Sequence, residues 1–150
     1  MTTDAPTTEL VARLRRLEDL QEIQQLFVDY GAFLDAGDLD GYASLFADDG
    51  EVLLGPLGRA TGPAAIKELM GRATASSVGN SFHVISSPQV QLDGDRATSV
   101  VMWTVVAKAA DGSPVVTMIG KHVDVLTRTP AGWRFQRREG HIDIPTVMRG

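Results

Sequence analysis

Two observations predict an α+β fold for this 150-residue chain, helices first and a curved antiparallel sheet after them. The first half carries apolar residues at helical spacing, and everything from Ser81 onward consists of β-branched runs separated by turn residues. The change of grammar comes once, with no repeat, linker or low-complexity tract, so residues 8–150 read as one domain behind a frayed segment over residues 1–7. A strongly curved sheet closed by a long helix makes a cone, and a cone has an interior.

The first element is a long amphipathic helix from about Thr8 to Ala36. Leu10, Leu14, Leu17, Leu20, Ile23, Phe27, Tyr30 and Leu34 recur along it at spacings of three or four. Gly37 stops it, and Asp38 offers an N-cap for a short second helix with Leu39, Tyr42, Leu45 and Phe46 on its apolar face. "EVLL" is a brief strand and "GPLGRA" a loop. "TGPAAIKELMGRAT" is a third helix, with Pro63 in its first turn and Ile66, Leu69, Met70 and Ala73 facing inward. The runs "FHVISSPQVQL", "RATSVVMWTVVAK", "VVTMIGKHVDVLTR" and "WRFQRREGHIDI" are four long strands, joined by short turns into a meander. "VVMWTVV" is apolar on both faces, so the outer face of the sheet is expected to meet a second copy in a homodimer or homotrimer.

Composition narrows the function classes. A chain of this length buries roughly two thirds of its unfolded surface, enough for a core with a pocket in it. Apolar residues make up 43% of it and mean hydropathy is near neutral, which fits a soluble globular protein with no membrane partner. The start, "MTTDAPTTEL", has neither the basic nor the apolar region of a signal peptide, so a cytoplasmic location is expected. Zero cysteines remove disulfides, thiol nucleophiles and cysteine zinc sites together. A net charge of −5 with scattered basic residues leaves no electrostatic footprint for nucleic acid. P-loop, dinucleotide-glycine and serine-elbow motifs do not occur.

The segment "FLDAGDLDGYASLFADDGEV", with the "TGPAAI" helix start, the "SFHVISSPQV" strand start and the "GKHVDVLTRTPAGWRF" hairpin, resembles the SnoaL-like branch of the nuclear transport factor 2-like (NTF2-like) superfamily. The likeness spans nearly the whole chain in element order. It implies a cone of curved antiparallel sheet plugged by N-terminal helices around a cavity. Scytalone dehydratase and bile acid 7α-dehydratase in this branch pair an aspartate at the end of the first helix with a histidine at the start of the strand after the third. Asp35 and His83 fill those positions here, and Tyr30 stands where the bile acid enzyme has a tyrosine. Leu54 falls where ketosteroid isomerase carries its base aspartate, which sets this chain apart from steroid isomerases of the usual kind. The lyases of this branch are metal-free, so the resemblance implies no cofactor.

Elimination of water β to a carbonyl needs a base for a carbon-bound proton, an acid for the leaving oxygen and a donor for the developing oxyanion. On this reading His83 is the proton shuttle, Asp35 its orienting partner and Tyr30 the donor. The substrate is a small hydrophobic cyclic, aromatic or polyketide-like compound. Residues five apart on a helix lie about 140° apart around it, so Tyr30 and Asp35 converge only if Asp35 sits where the helix ends. The same cavity would suit an isomerase, a cyclase, an epoxide hydrolase or a non-catalytic small-molecule-binding module.

Asp38, Asp40, Asp48 and Asp49 read as caps and turn formers. His122 with Asp124 and His141 with Asp143 each share a strand face by alternation. They suggest pocket-lining histidines or, as a rival, metal ligands of an oxygenase. Trp103, Leu54 and Met118 are expected on the pocket wall, while Met102, Phe82 and Trp133 belong to core or wall.

Overall fold

The computed structural model describes residues 4–145. Its longest strands are the predicted meander: β3 (Ser81–Asp93), β4 (Arg96–Lys108), β5 (Pro114–Thr129) and β6 (Gly132–Pro145), each antiparallel to the next. Two further strands extend it. β1 (Phe46–Leu53) begins well before "EVLL" and runs parallel to β6, and β2 (Arg59–Thr61) takes the end of the expected "GPLGRA" loop and the Thr61 that follows it, antiparallel to β1. β1 does not alternate cleanly and its register shifts between Phe46 and Glu51, so pairing with neighbours rather than local pattern makes it a strand. The sheet order is β2-β1-β6-β5-β4-β3. Its two edges stay apart, so the sheet curves without closing and the helices complete the enclosure.

The first helix, α1 (Asp4–Ala36), starts four residues before the expected point, while residues 1–3 of the expected frayed segment lie outside the described residues. Its second half packs against β3 and β6 and buries Ile23, Phe27, Tyr30 and Leu34. Its first half does not follow the sequence expectation of one continuous buried stripe. Leu10, Leu14 and Leu17 are 57%, 51% and 62% exposed, because the helix projects past the sheet before Asp19. At that crossing, Arg128 donates to both Asp19 oxygens at 2.7 Å and Trp133 Nε1 donates to Asp19 at 3.0 Å. The Arg128 hydrogen bonds hold the Asp19 carboxyl below its ordinary pKa, against the opposing pull of burial. This clamp fixes where α1 lies on the β5–β6 hairpin.

The short α2 (Leu39–Ser44) is capped as predicted, Asp38 accepting the Gly41 N–H at 2.8 Å. Asp40 pairs with Lys67 at 2.6 Å, and Asp49 accepts from the Gln136 amide at 3.0 Å. Then α3 (Pro63–Thr74) lays Ile66, Leu69 and Met70 into the core beside Tyr42, Phe27, Trp133 and Phe135. Phe82 and Met102 do not join core or wall. They point outward from the sheet, 70% and 47% exposed. No helix among the described residues is long and apolar enough to cross a membrane.

Candidate active site

The site begins with how α1 ends. Gly37 takes φ 71°, its N–H donates to the Leu34 carbonyl, and the Asp38 N–H donates to the Phe33 carbonyl. This is the paired closure of a glycine-terminated helix, and it leaves Asp35 in the last turn, where a carboxylate opposes the helix dipole. Compensation comes from β3. As an edge strand, β3 has backbone N–H groups free for partners outside the sheet. The His83 N–H donates to the two Asp35 oxygens at 3.0 and 3.2 Å, and His83 Nδ1 lies 2.7 Å from Oδ1. A carboxylate only accepts, so Nδ1 carries a proton, and in the neutral ring the lone pair is on Nε2. Gly31, one turn before Asp35, makes the approach possible: a Cβ there would sit 3.2 Å from Ile85 Cγ1 and 3.5 Å from the His83 carbonyl.

His83 lies on the wall of a cavity of about 200 Å³. Tyr30, His122, Trp103, Leu54 and Met118 line it too, with Leu34 and Met70 adding apolar wall. The Tyr30 hydroxyl is not directed to Asp35. It lies 3.4 Å from His122 Nε2, and its ring meets the His83 ring edge-on at 6.1 Å. Burial pushes the Tyr30 pKa up to about 12, with the Arg138 charge opposing, so the phenol stays protonated at neutral pH. Burial, then the Arg138 charge, lowers the His122 pKa well below its ordinary value and holds that ring neutral.

His141 does not line this cavity. An irregularity in β6 between Phe135 and Arg137 inserts one residue, so the inward parity that begins with Trp133 and Phe135 continues with Arg138 and Gly140. His141 therefore turns outward, opposite Lys121, with Nε2 3.3 Å from Glu139. The two His/Asp pairs consequently face opposite sides of the sheet and cannot share a metal ion.

The same bulge buries a residue that the sequence reading passed over. Arg138 is 1% exposed, donates through Nε and Nη2 to Asp124 at 2.8 and 2.9 Å, and lies 4.4 Å over the Tyr30 ring. Ser99 donates to the same carboxylate at 3.0 Å. Burial disfavours the guanidinium charge, but Asp124 outweighs it and holds the Arg138 pKa above its ordinary value. Simple alternation from Trp133 would have placed Arg137 inside and Arg138 outside, so the signal was present in "QRREG" but pointed to the wrong arginine.

The chain that folds into this projecting helix over an open curved sheet is matched over residues 15–139 by the SnoaL-like domain model. The chain belongs to the SnoaL-like family. An NTF2-like protein with a cystatin-like fold from Novosphingobium aromaticivorans superposes on this SnoaL-like chain with a TM-score of 0.86. The two are 32% identical, and the match covers 95% of this chain and 92% of the other. The uncharacterized protein Rv2910c of Mycobacterium tuberculosis is 32% identical over 127 residues, 81% of this chain and 84% of its own. A candidate scytalone dehydratase from N. aromaticivorans shares the fold at a TM-score of 0.73 and 22% identity, over 87% of this chain and 88% of that one. The SnoaL-like, NTF2-like fold is thus shared with proteins of enzymatic type.

Proposed function

We propose that the protein is a cofactor-independent lyase of the dehydratase type, acting on a small hydrophobic cyclic, aromatic or polyketide-like compound. The observation that carries this reading is the 2.7 Å hydrogen bond between Asp35 and His83 on the wall of a mostly apolar cavity. With Nδ1–H donated to Asp35, Nε2 takes a proton from the carbon beside a substrate carbonyl. The electron pair of that C–H bond passes into an enolate. As the new carbon–carbon double bond forms, the neighbouring C–O bond breaks, and the imidazolium returns its proton to the departing hydroxyl, which leaves as water. Asp35 stabilises the imidazolium between the two transfers. The polar pair of Tyr30 and His122 meets the developing oxyanion, while Leu34, Leu54, Met70 and Met118 keep bulk water from the intermediate.

The fold likeness to the candidate scytalone dehydratase favours the same reading. Its test is a mass-spectrometric screen of cyclic and aromatic β-hydroxycarbonyl compounds with the parent protein and His83→Ala. Conversion with loss of one water by the parent, reduced at least about 100-fold in the variant, supports it. Conversion without a change of mass would make the protein an isomerase or cyclase. Compounds that bind in the cavity and are all returned unchanged would make it a binding module.

A further inference from the structure

Two inward positions on neighbouring strands carry no side chain. Gly120 on β5 lies beside Trp103 of β4, and Gly140 on β6 lies opposite His122 of β5. A Cβ at Gly120 would fall 2.5 and 2.9 Å from two indole carbons of Trp103, so that ring already takes the room the glycine leaves. Gly140 is not overlaid in this way. The nearest atoms to a Cβ there are Leu54 Cδ2 at 3.3 Å and the His122 ring at 3.5 and 3.6 Å, and Gly140 itself lines the cavity.

A glycine inside a strand weakens it and often marks a place where another group comes close to the backbone. At Gly120 that group is Trp103. At Gly140 the φ angle is not positive, so backbone conformation gives no reason for glycine. The inward positions on either side of it, Arg138 and Ile142, are large, which confines the room to one residue. The sheet order sets β6 three strands from β3, about 14 Å along the curved sheet at ~4.8 Å per strand. Gly140 and His83 therefore stand on opposite walls of the cavity. A compound whose reacting carbon meets His83 reaches Gly140 with its far end. Strand amides point sideways to neighbouring strands, so the floor at Gly140 presents little more than a Cα–H. At about 200 Å³ the cavity is smaller than the roughly 300–1,000 Å³ of drug-sized sites, so a few carbons decide what fits.

We infer that Gly140 is the specificity-determining residue of this cavity. The end of the substrate remote from His83 lies on the bare β6 backbone, and that end is a thin, unsubstituted hydrocarbon edge. A side chain at position 140 shortens the cavity from the wall away from the dyad. It changes which compounds bind without touching the groups that move protons. This deepens the dehydratase reading and rests on it only for the reaction at His83, since the size rule needs the cavity alone.

NMR titration of the 15N-labelled protein with indane and with toluene tests this in the parent, Gly140→Ala and Gly140→Val. Indane carries two more carbons, which should make it bind the parent about tenfold more tightly than toluene and shift the Gly140 amide signal. In Gly140→Val that ratio should fall to about one or below while toluene affinity stays within about threefold, and Gly140→Ala should lie between. Alanine suits a strand at least as well as glycine, so the urea midpoint of Gly140→Ala should match or exceed that of the parent. A lower midpoint with an unchanged ratio would make the glycine a packing residue and overturn the assignment. So would a Gly140 amide unmoved by indane, a ratio that survives Gly140→Val, or no binding of either compound by the parent. If Gly140→Val does not fold, the ratio in Gly140→Ala decides. A ratio that falls as expected while no β-hydroxycarbonyl compound is dehydrated keeps Gly140 in its role and removes the lyase reading. Dehydration with a ratio indifferent to residue 140 does the reverse.

Discussion

The Asp35 carboxylate holds His83 twice, through the ring Nδ1 at 2.7 Å and through the backbone N–H at 3.0 Å. One side chain at a helix end therefore sets both the position of an edge strand and the tautomer of its histidine. Asp35→Asn keeps the shape but replaces a charged acceptor with an amide that also donates. Turnover of a compound found in the dehydration screen should fall by about 100-fold or more, with KM little changed. Full turnover in this variant would remove Asp35 from the mechanism.

Arg138 and Asp124 form a buried pair, both essentially without solvent contact. Removing one charge strands the other. Asp124→Asn should lower the unfolding free energy by about 3–5 kcal/mol, measured by urea denaturation, and Asp124→Leu combined with Arg138→Met should recover most of the loss. A double variant as unstable as Asp124→Asn would mean that packing over Phe135 and Tyr30, rather than charge, is what the pair supplies.

His122 makes stability depend on pH with a known sign. Its folded-state pKa lies well below the 6.5 of a free ring, so the native state keeps the ring neutral while the unfolded chain takes up a proton. The stability contribution is full above about pH 6.5 and is lost as pH falls below that value toward the folded pKa, by up to about 1.4 kcal/mol per pH unit. Urea midpoints between about pH 8 and pH 5 should show this decline in the parent, and His122→Phe should flatten it.

The outward sheet face carries Phe82, Val84, Met102 and Val123 at 70%, 49%, 47% and 41% exposure, and α1 adds the projecting Leu10, Leu14 and Leu17. Apolar surface of this extent on an exposed sheet face is expected to meet a second copy. Sedimentation velocity should report a homodimer or homotrimer, and Val84→Glu with Met102→Glu should shift it toward the monomer. A monomeric parent at tens of micromolar would exclude self-association through this face.

Much of the candidate site was legible because it rests on local chemistry. Gly37 ends α1 wherever the rest of the chain goes, and that puts Asp35 in the last turn; the β-branched run after α3 places His83 at the start of a strand. Leu54, Trp103 and Met118 were legible as apolar or aromatic residues expected on the pocket wall, and His122 only as one of two candidate histidines. Arg138 and His141 were not, since a bulge in β6 reverses the facing of the residues from Arg137 to Ile142 and leaves no mark in residue types.

The meeting of Asp35 with His83 was implied by the family resemblance, while the sequence by itself determined the order of elements, the capping of the helices and the meander. These depend on periodicity and turn chemistry, which act over a few residues. Only the tertiary structure decided that β1 pairs parallel with β6, that the first turns of α1 stand clear of the sheet, which arginine is buried, and that Tyr30 turns to His122. Each of those depends on which distant segment lies opposite, and a residue's neighbours across a sheet are set by register and burial, not by its own place in the chain.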